Sequence, residues 1–260
     1  MSSALTVQAR VIGSLIFRET RVRFGGTRLG YLWALIEPIL HVAVLSTIYV
    51  GVYVVWGRQA PVGNLQMFFI TGIMPFFLFS HTSSRLARSI SSNASLLRLP
   101  PITNMDIVFA KALLQALTWV AVFAILLFLV MLGGKLILPQ RLEECAAAAL
   151  FTFLLGFGMG LINAVLNMLF KSWEHLYSAL TRPLYLLSGV FYLVDALPEQ
   201  ARRVLVWNPL VHAIEWFRAG YFTHFSSLTL DRGYLIKWAV GSVVLGLCLE
   251  RAMRRRLHTR

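Results

Sequence analysis

Long apolar stretches separated by short polar ones dominate this chain. An α-helix needs about 20 apolar residues to cross about 30 Å of hydrocarbon, so the longer stretches predict membrane-spanning helices. The second is interrupted by Gly72 and Pro75 and is expected to be bent, and the fifth is too short to cross without help. The predicted spans are Tyr31–Trp56, Leu65–His81, Ile107–Leu132, Ala146–Phe170, Pro183–Val194 and Gly233–Leu249.

Two segments outside these spans have mixed polarity. Ala4–Phe24 places Val11 and Leu15 on one helical side and Arg10 on another, which predicts a helix lying in the membrane interface. Residues 195–230 contain many aromatic side chains but also several charged ones. The segment is therefore too polar to span the membrane and too apolar for an ordinary loop. They predict two short helices that dip into the outer leaflet and return, where protein or water must satisfy the backbone.

The predicted fold is therefore all-α and integral to the membrane. It has six transmembrane helices, an N-terminal interfacial helix and a re-entrant helical hairpin before the last span. The whole chain forms one transmembrane domain, in which residues 1–30 hold the interfacial helix, 31–194 hold spans one to five, and 231–260 hold span six and a basic tail. Gly156, Gly160, Asn163 and Asn167 share a face of the fourth span, where small residues allow close helix packing and asparagines bond across it.

The charge pattern predicts the orientation. Hydrophobic residues make up 58% of the chain and charged ones only 13%, about half the charged share of a soluble domain. The net charge of +13 comes mostly from arginines beside the apolar stretches, where they act as topology signals, so the excess does not indicate a nucleic-acid partner. The bias toward the N-terminal segment, the 85–105 loop and the tail predicts that both termini are cytoplasmic.

The sequence lacks three common nucleotide-binding and catalytic motifs. It contains no G-x-x-x-x-G-K-[ST] phosphate loop, no G-x-S-x-G elbow and no H-E-x-x-H helix. Cys145 and Cys248 are isolated, which indicates neither a disulfide framework nor a metal site. We therefore expect no catalytic residue, no metal and no cofactor on this chain, and any energy source must come from another polypeptide.

Two motifs resemble those of a known family. One is Gly25-Gly26-Thr27-Arg28-Leu29-Gly30-Tyr31-Leu32-Trp33, followed by Glu37-Pro38, and the other is Asn208-Pro209 with His212, Glu215 and Arg218 in an N-P-x-x-H-x-x-E-x-x-R pattern. Together, in this order and at this length, they resemble the type-2 ABC exporter permeases, in particular the capsular polysaccharide branch of KpsM-like proteins.

The resemblance implies a homodimer of permeases with two copies of a separate nucleotide-binding ATPase subunit, on which ATP and Mg would bind. It also implies a lipid-linked polysaccharide substrate, a periplasmic co-polymerase and an outer-membrane exporter, in the bacterial inner membrane. The inside loops would dock onto the ATPase, and the coupling candidates are Ser91, Asn93, Leu96, Glu174 and His175.

Aromatic residues are candidates for the substrate channel, because their rings can stack on sugar faces. Tyr185, Ser188 and Tyr192 stand at helical spacing and predict a stripe. An aromatic belt at the membrane interface explains the same positions, and both interpretations stay open. The channel candidates are Trp33, Tyr49, Tyr53, Trp56, Tyr185, Ser188 and Tyr192.

Polar residues inside the apolar stretches form a second candidate set. Glu37 and His41 are four apart and share a helical face, where they either gate the inner mouth, hold a lipid headgroup or form a buried structural pair. His212, Glu215 and Arg218 are three apart and fit a salt-bridged helix better than a metal or acid–base site. Four arginines either steer an acidic polymer at the inner mouth or serve only as topology charges: Arg28, Arg85, Arg88 and Arg98.

The sequence therefore predicts the permease subunit of an ATP-driven exporter of lipid-linked capsular polysaccharide. A rival within transport is the export of another lipid-linked glycan, such as an O-antigen or teichoic acid. A rival from another class is an intramembrane enzyme that uses Glu37 and His41, or His212 and Glu215.

Overall fold

A computed structural model describes residues 4–24, 65–93, 103–134, 138–170 and 172–258, together with positions 36, 39–45, 47–48, 51 and 55. Regular structure within these residues is helical. The α-helices with complete bounds are α1 (Ala4–Phe24), α2 (Leu65–Ala87), α3 (Asn104–Leu132), α4 (Leu142–Leu169), α5 (Trp173–Leu186), α6 (Glu199–Leu205), α7 (Pro209–Tyr221) and α8 (Arg232–His258). Short 3-10 turns follow at Ser91–Asn93 and Val194–Ala196.

Within the described residues, four helices are long and apolar enough to cross a membrane: Leu65–Ala87, Asn104–Leu132, Leu142–Leu169 and Arg232–Met253. They correspond to predicted spans two, three, four and six. Most of the first predicted span lies outside the described residues. The count of six spans therefore stays a prediction, while the all-helical membrane fold is confirmed.

The second predicted span was too short. Helix α2 continues past His81 to Ala87 and runs without interruption through Gly72 and Pro75. Every residue from Met67 to Phe77 is buried, so neighbouring helices enclose α2 on all sides. This packing, rather than local propensity, keeps the helix continuous through its glycine and proline.

Close contacts hold α4 against two neighbours. A Cβ at Gly156 would lie 2.9 Å from the Phe79 carbonyl oxygen of α2, and a Cβ at Gly158 would lie 2.5 Å from backbone of Ser242 in α8. The Asn167 amide also donates to the Ala87 carbonyl at 2.9 Å. The predicted close packing and asparagine bonding of this face are thus confirmed, with α4 at the centre of the bundle.

These contacts also give the direction of the helices. Since Gly156 meets Phe79 and Asn167 meets Ala87, α2 and α4 run parallel, and α8 runs with them. Helix α3 runs the other way, because Asn104 at its start donates to Glu250 near the end of α8. The bundle therefore has an α7 end, with the starts of α2, α4 and α8, and an α1 end, with their last turns.

Helix α1 has the bounds that the sequence predicts and packs on the first turns of α3. Leu15 is buried against Ile107 and Ala110. The Gln8 amide donates to Asp106 at 3.3 Å, and Asp106 closes a capping box with Thr103 at the start of α3.

The fifth predicted span does not have its predicted bounds. Residues 172–182, predicted as an inside loop, lie mostly in α5, which ends at Leu186 instead of continuing to Val194. A Trp173 indole N–H bonded to Asn163 holds the start of α5 against α4, and the chain turns at Gly189, whose φ of 77° favours glycine. A helix of 14 residues is about 21 Å long, too short to cross alone.

Two short helices, α6 and α7, follow as predicted for the segment before the last span. Helix α7 begins at Asn208, whose side chain accepts from the Leu210 amide at 3.0 Å, with Pro209 at the first helical position. Every residue from Leu210 to Tyr221 is buried. Protein thus surrounds this helix, while its re-entrant placement in the membrane stays a prediction.

Candidate substrate path and the Arg218 cradle

An aromatic cluster joins α5 to residues 39–45, the described helical part of the first predicted span, which we call the first helical stretch. His41 Nε2 and Tyr185 Oη are hydrogen-bonded at 2.7 Å. The Tyr185 ring lies 4.7 Å from that of Phe76 and stacks on Phe77 at 6.0 Å between ring centroids. His41 and Tyr185 are both half-buried. The sequence analysis assigned His41 to the candidate gate and Tyr185 to the candidate channel. In the structure these two side chains contact each other.

The cluster extends into α2 and α3. The His81 ring stacks on Phe77 at 5.1 Å and meets the Trp119 indole edge-on at 5.3 Å. Sequence reasoning missed these residues, although Phe77 and His81 are four apart and share a helical face. Aromatic rings with polar edges offer stacking faces and hydrogen bonds together, which suits a ligand carrying both apolar faces and hydroxyls.

The predicted stripe of Tyr185, Ser188 and Tyr192 does not form. Because α5 ends at Leu186, only Tyr185 lies on it. Ser188 is buried and accepts from the Asn208 side chain at 3.0 Å, while the Tyr192 hydroxyl donates to the Leu186 carbonyl. Other channel candidates lie outside the described residues: Trp33, Tyr49, Tyr53 and Trp56.

Arg218 of α7 is fully buried at the α7 end of the bundle. Its guanidinium donates from Nη1 to the Gly189 carbonyl at 2.8 Å and from Nη2 to the Val190 carbonyl at 3.0 Å. It also lies 4.0 Å above the Phe68 ring. We name this arrangement, with the Tyr192 carbonyl at 3.4 Å, the Arg218 cradle. It joins α7, α2 and the turn after α5 at one buried charge.

Two glycines make room for the cradle. A Cβ at Gly72 would lie 2.8 Å from Arg218 Nη2 and 2.9 Å from the Val190 oxygen. A Cβ at Gly189 would lie 2.9 Å from Val194. The absence of a side chain at Gly72 therefore admits the guanidinium and the turn.

Glu215 and His212 play different parts although they share α7 with Arg218. Glu215 Oε1 lies 3.7 Å from Arg218 Nη1, and both side chains are buried, so they form the predicted ion pair. His212 instead bonds through Nε2 to the Val206 carbonyl at 2.8 Å, and its Nδ1 accepts from the Asp231 amide at 3.0 Å. Both ring nitrogens are engaged, so this imidazole joins α6 to the start of α8 rather than facing a ligand.

The remaining candidates lie near the α1 end. Arg85 is half-buried, and Arg88 pairs with Glu174 at 3.2 Å between α2 and α5. Ser91 and Asn93 bound the 3-10 turn, and His175 is exposed. Several candidates fall outside the described residues: Arg28, Glu37, Leu96 and Arg98.

The model of the ABC-2 type transporter family matches residues 10–222. The chain belongs to this family and is a multi-pass membrane protein. It is 31% identical over 258 residues to the polysialic acid transport protein KpsM of Escherichia coli, covering 99% of this chain and 98% of that one. It is 28% identical to the capsule polysaccharide export inner-membrane protein CtrC of Neisseria meningitidis and 27% identical to BexB of Haemophilus influenzae, covering 95% of this chain and 92% of each relative.

Proposed function

We propose that this chain is the permease subunit of an ATP-driven exporter that moves lipid-linked capsular polysaccharide across the bacterial inner membrane. The observation that carries the proposal is the similarity to the polysialic acid transport protein KpsM over nearly the whole of both chains. CtrC and BexB, two inner-membrane proteins of capsule polysaccharide export, add independent support.

The chain acts with a separate ATPase subunit that binds ATP and Mg, because its own sequence holds no phosphate loop. Its docking surface lies at the α1 end and includes Ser91, Asn93, Glu174 and His175, where Arg88, just before the turn, pairs with Glu174. This end faces the cytoplasm together with both termini, and the α7 end lies in the outer leaflet. A periplasmic co-polymerase and an outer-membrane exporter complete the pathway.

A second copy of the permease covers α5 and the first helical stretch. No residue of α5 is buried, and Leu176 and Leu180 are at least half exposed. Leu40 and Val44 of the first stretch are also more than half exposed. The contact between His41 and Tyr185 lies between these surfaces, so a homodimer places the aromatic cluster beside the path of the polymer.

Export of an O-antigen is the second candidate. The O-antigen export permease RfbA of Klebsiella pneumoniae is 23% identical over 76% of this chain and 74% of its own length. Both its identity and its coverage are lower than those of KpsM, so the capsule assignment is favoured. An intramembrane enzyme is less well supported, because both nitrogens of His212 are engaged in structural bonds.

The deciding experiment deletes the gene and restores it on a plasmid in the native host. We expect the deletion to leave lipid-linked capsular polysaccharide inside the cell while O-antigen on the surface is unchanged. Purification of the tagged permease is expected to recover a phosphate-loop ATPase in equal amount. Surface capsule at the normal level in the deletion strain would refute the capsule assignment, and loss of O-antigen alone would support the second candidate.

Tyr185→Ala is expected to slow export about ten-fold, which corresponds to about 1.4 kcal/mol, because it removes a ring that stacks on the passing glycan in the proposed path. Surface polysaccharide is measured after induction in cells that carry equal amounts of permease. Tyr177→Ala is the matched control, because Tyr177 lies on the same helix and also donates a hydrogen bond, to Ser83 at 2.7 Å. Equal rates in the two variants would contradict a role of Tyr185 in the substrate path.

A further inference from the structure

Lys111 of α3 bridges two elements at the α1 end. Its Nζ lies 3.6 Å from Glu19 Oε1 of α1 and donates to Ser92 Oγ at 3.2 Å. The side chains of Lys111 and Glu19 are each only 15% exposed. The ammonium is therefore sheltered from bulk water. In such a sheltered position an ion pair is stronger than one on an open surface.

Ser92 is oriented to receive this bond. Its hydroxyl donates to the Arg88 carbonyl at 2.6 Å, and its amide bonds to the same carbonyl at 3.1 Å. Because the hydroxyl hydrogen is committed to Arg88, an oxygen lone pair faces Lys111. The Ser91–Asn93 turn is thus connected to the end of α2 on one side and to α1 through Lys111 on the other.

Arg88, whose carbonyl accepts from the turn, reaches α5 through a weaker contact. Arg88 pairs with Glu174 at 3.2 Å, but their side chains are 55% and 50% exposed. Exposed pairs of this kind contribute little by themselves. Lys111 is consequently the stronger of the two charged links that hold the turn to its surroundings in the described part of the chain.

Helix α1 does not depend on Lys111 for its own position. Leu15 packs on Ile107 and Ala110, and Gln8 bonds to Asp106. Loss of the Lys111 ammonium therefore leaves α1 attached to α3 while it removes the side-chain link from the Ser91–Asn93 turn to α1 and α3; the turn stays joined to α4, because Ile90 before it packs on Ala164. A substitution of Lys111 can therefore test its role in coupling without removing the contacts that hold α1 on α3.

We propose that Lys111 is a positioning residue that holds the Ser91–Asn93 turn to α1, so that a push on the turn moves α1 and α3 with it. The inference rests on the proposed function, in which a partner ATPase delivers that push. In Lys111→Met the ATPase still binds and hydrolyses ATP, but the displacement is absorbed by the loosened turn.

The first test compares Lys111→Met with Lys237→Met in the complete complex. Lys237 is an exposed lysine of α8 and provides the same substitution outside this network. We expect polysaccharide exported per ATP hydrolysed to fall about five-fold in Lys111→Met, the lower end of usual coupling effects. Yield, melting temperature and recovery of the ATPase should equal those of the control, and Lys111→Arg should restore export because it keeps the charge and the donors.

The second test needs no substrate and no ATPase. Spin labels are placed at Val22→Cys on α1 and Ser91→Cys in the turn, both exposed, after Cys145 and Cys248 are replaced by alanine. We expect a broader distance distribution in Lys111→Met than in Lys237→Met. An unchanged distribution overturns the inference even if the wild-type complex exports no capsule, whereas failure of wild-type export alone contradicts only the proposed function. Normal export per ATP in Lys111→Met also overturns the inference.

Discussion

Arg218→Met is expected to lower the free energy of unfolding by about 3–5 kcal/mol, the usual effect of removing one partner from a buried ion pair. The substitution leaves the Glu215 carboxylate without its counter-charge and the Gly189 and Val190 carbonyls without their donor. Since domains have total stabilities of about 5–15 kcal/mol, most of the protein should be lost during membrane insertion or purification. Yield and melting temperature of the detergent-purified protein measure the effect.

Two further variants separate the buried charge from the general effect of losing an arginine. Arg203→Met removes an arginine whose side chain is 76% exposed, and its effect should stay within about 0.5 kcal/mol. Arg218→Met combined with Glu215→Leu should regain part of the lost stability, because no uncompensated charge stays buried. A melting temperature for Arg218→Met equal to that of Arg203→Met would mean that the cradle does not stabilise the fold.

Gly158→Ala is expected to cost about 3 kcal/mol, at the upper end of overpacking effects. The new methyl group would meet backbone of Ser242 and Val243 at 2.5 Å, and rotation of a side chain cannot relieve contacts with backbone atoms. Helix α8 must therefore move away from α4. The change is measured as the shift in melting temperature and as loss of surface polysaccharide.

Gly241→Ala is the matched control for this prediction. Gly241 lies on α8 next to Ser242, but a Cβ there would meet nothing within 4 Å. Alanine is favoured over glycine in a helix by up to about 1 kcal/mol, so this variant should be as stable as the wild type or more stable. If Gly158→Ala were equally stable, the close contact between α4 and α8 would be disproved.

The limits of sequence reasoning are visible in α5. The twelve mainly apolar residues from Pro183 to Val194 suggested the fifth span, but most of the helix lies in the more polar residues before Pro183. Hydropathy reports how a segment partitions between water and lipid, whereas the start of α5 depends on a bond between Trp173 and Asn163, ten residues apart. Tyr185 was identified as a candidate from its residue type, while its contact with His41 joins positions 144 residues apart in the chain.

The length of the apolar stretches by itself determined the membrane class and the presence of the four long spans, because a helix satisfies its own backbone in lipid. The 3.6-residue spacing of apolar positions determined α1. The spacing of Glu215 and Arg218 likewise determined their ion pair, a contact within one helical turn. The tertiary structure alone decided what Arg218 holds, why Gly72 must lack a side chain, and that His212 takes no part in that pair. Those outcomes depend on backbone groups from segments that are distant in the chain. The order of residue types in the sequence does not say which of these segments will come into contact.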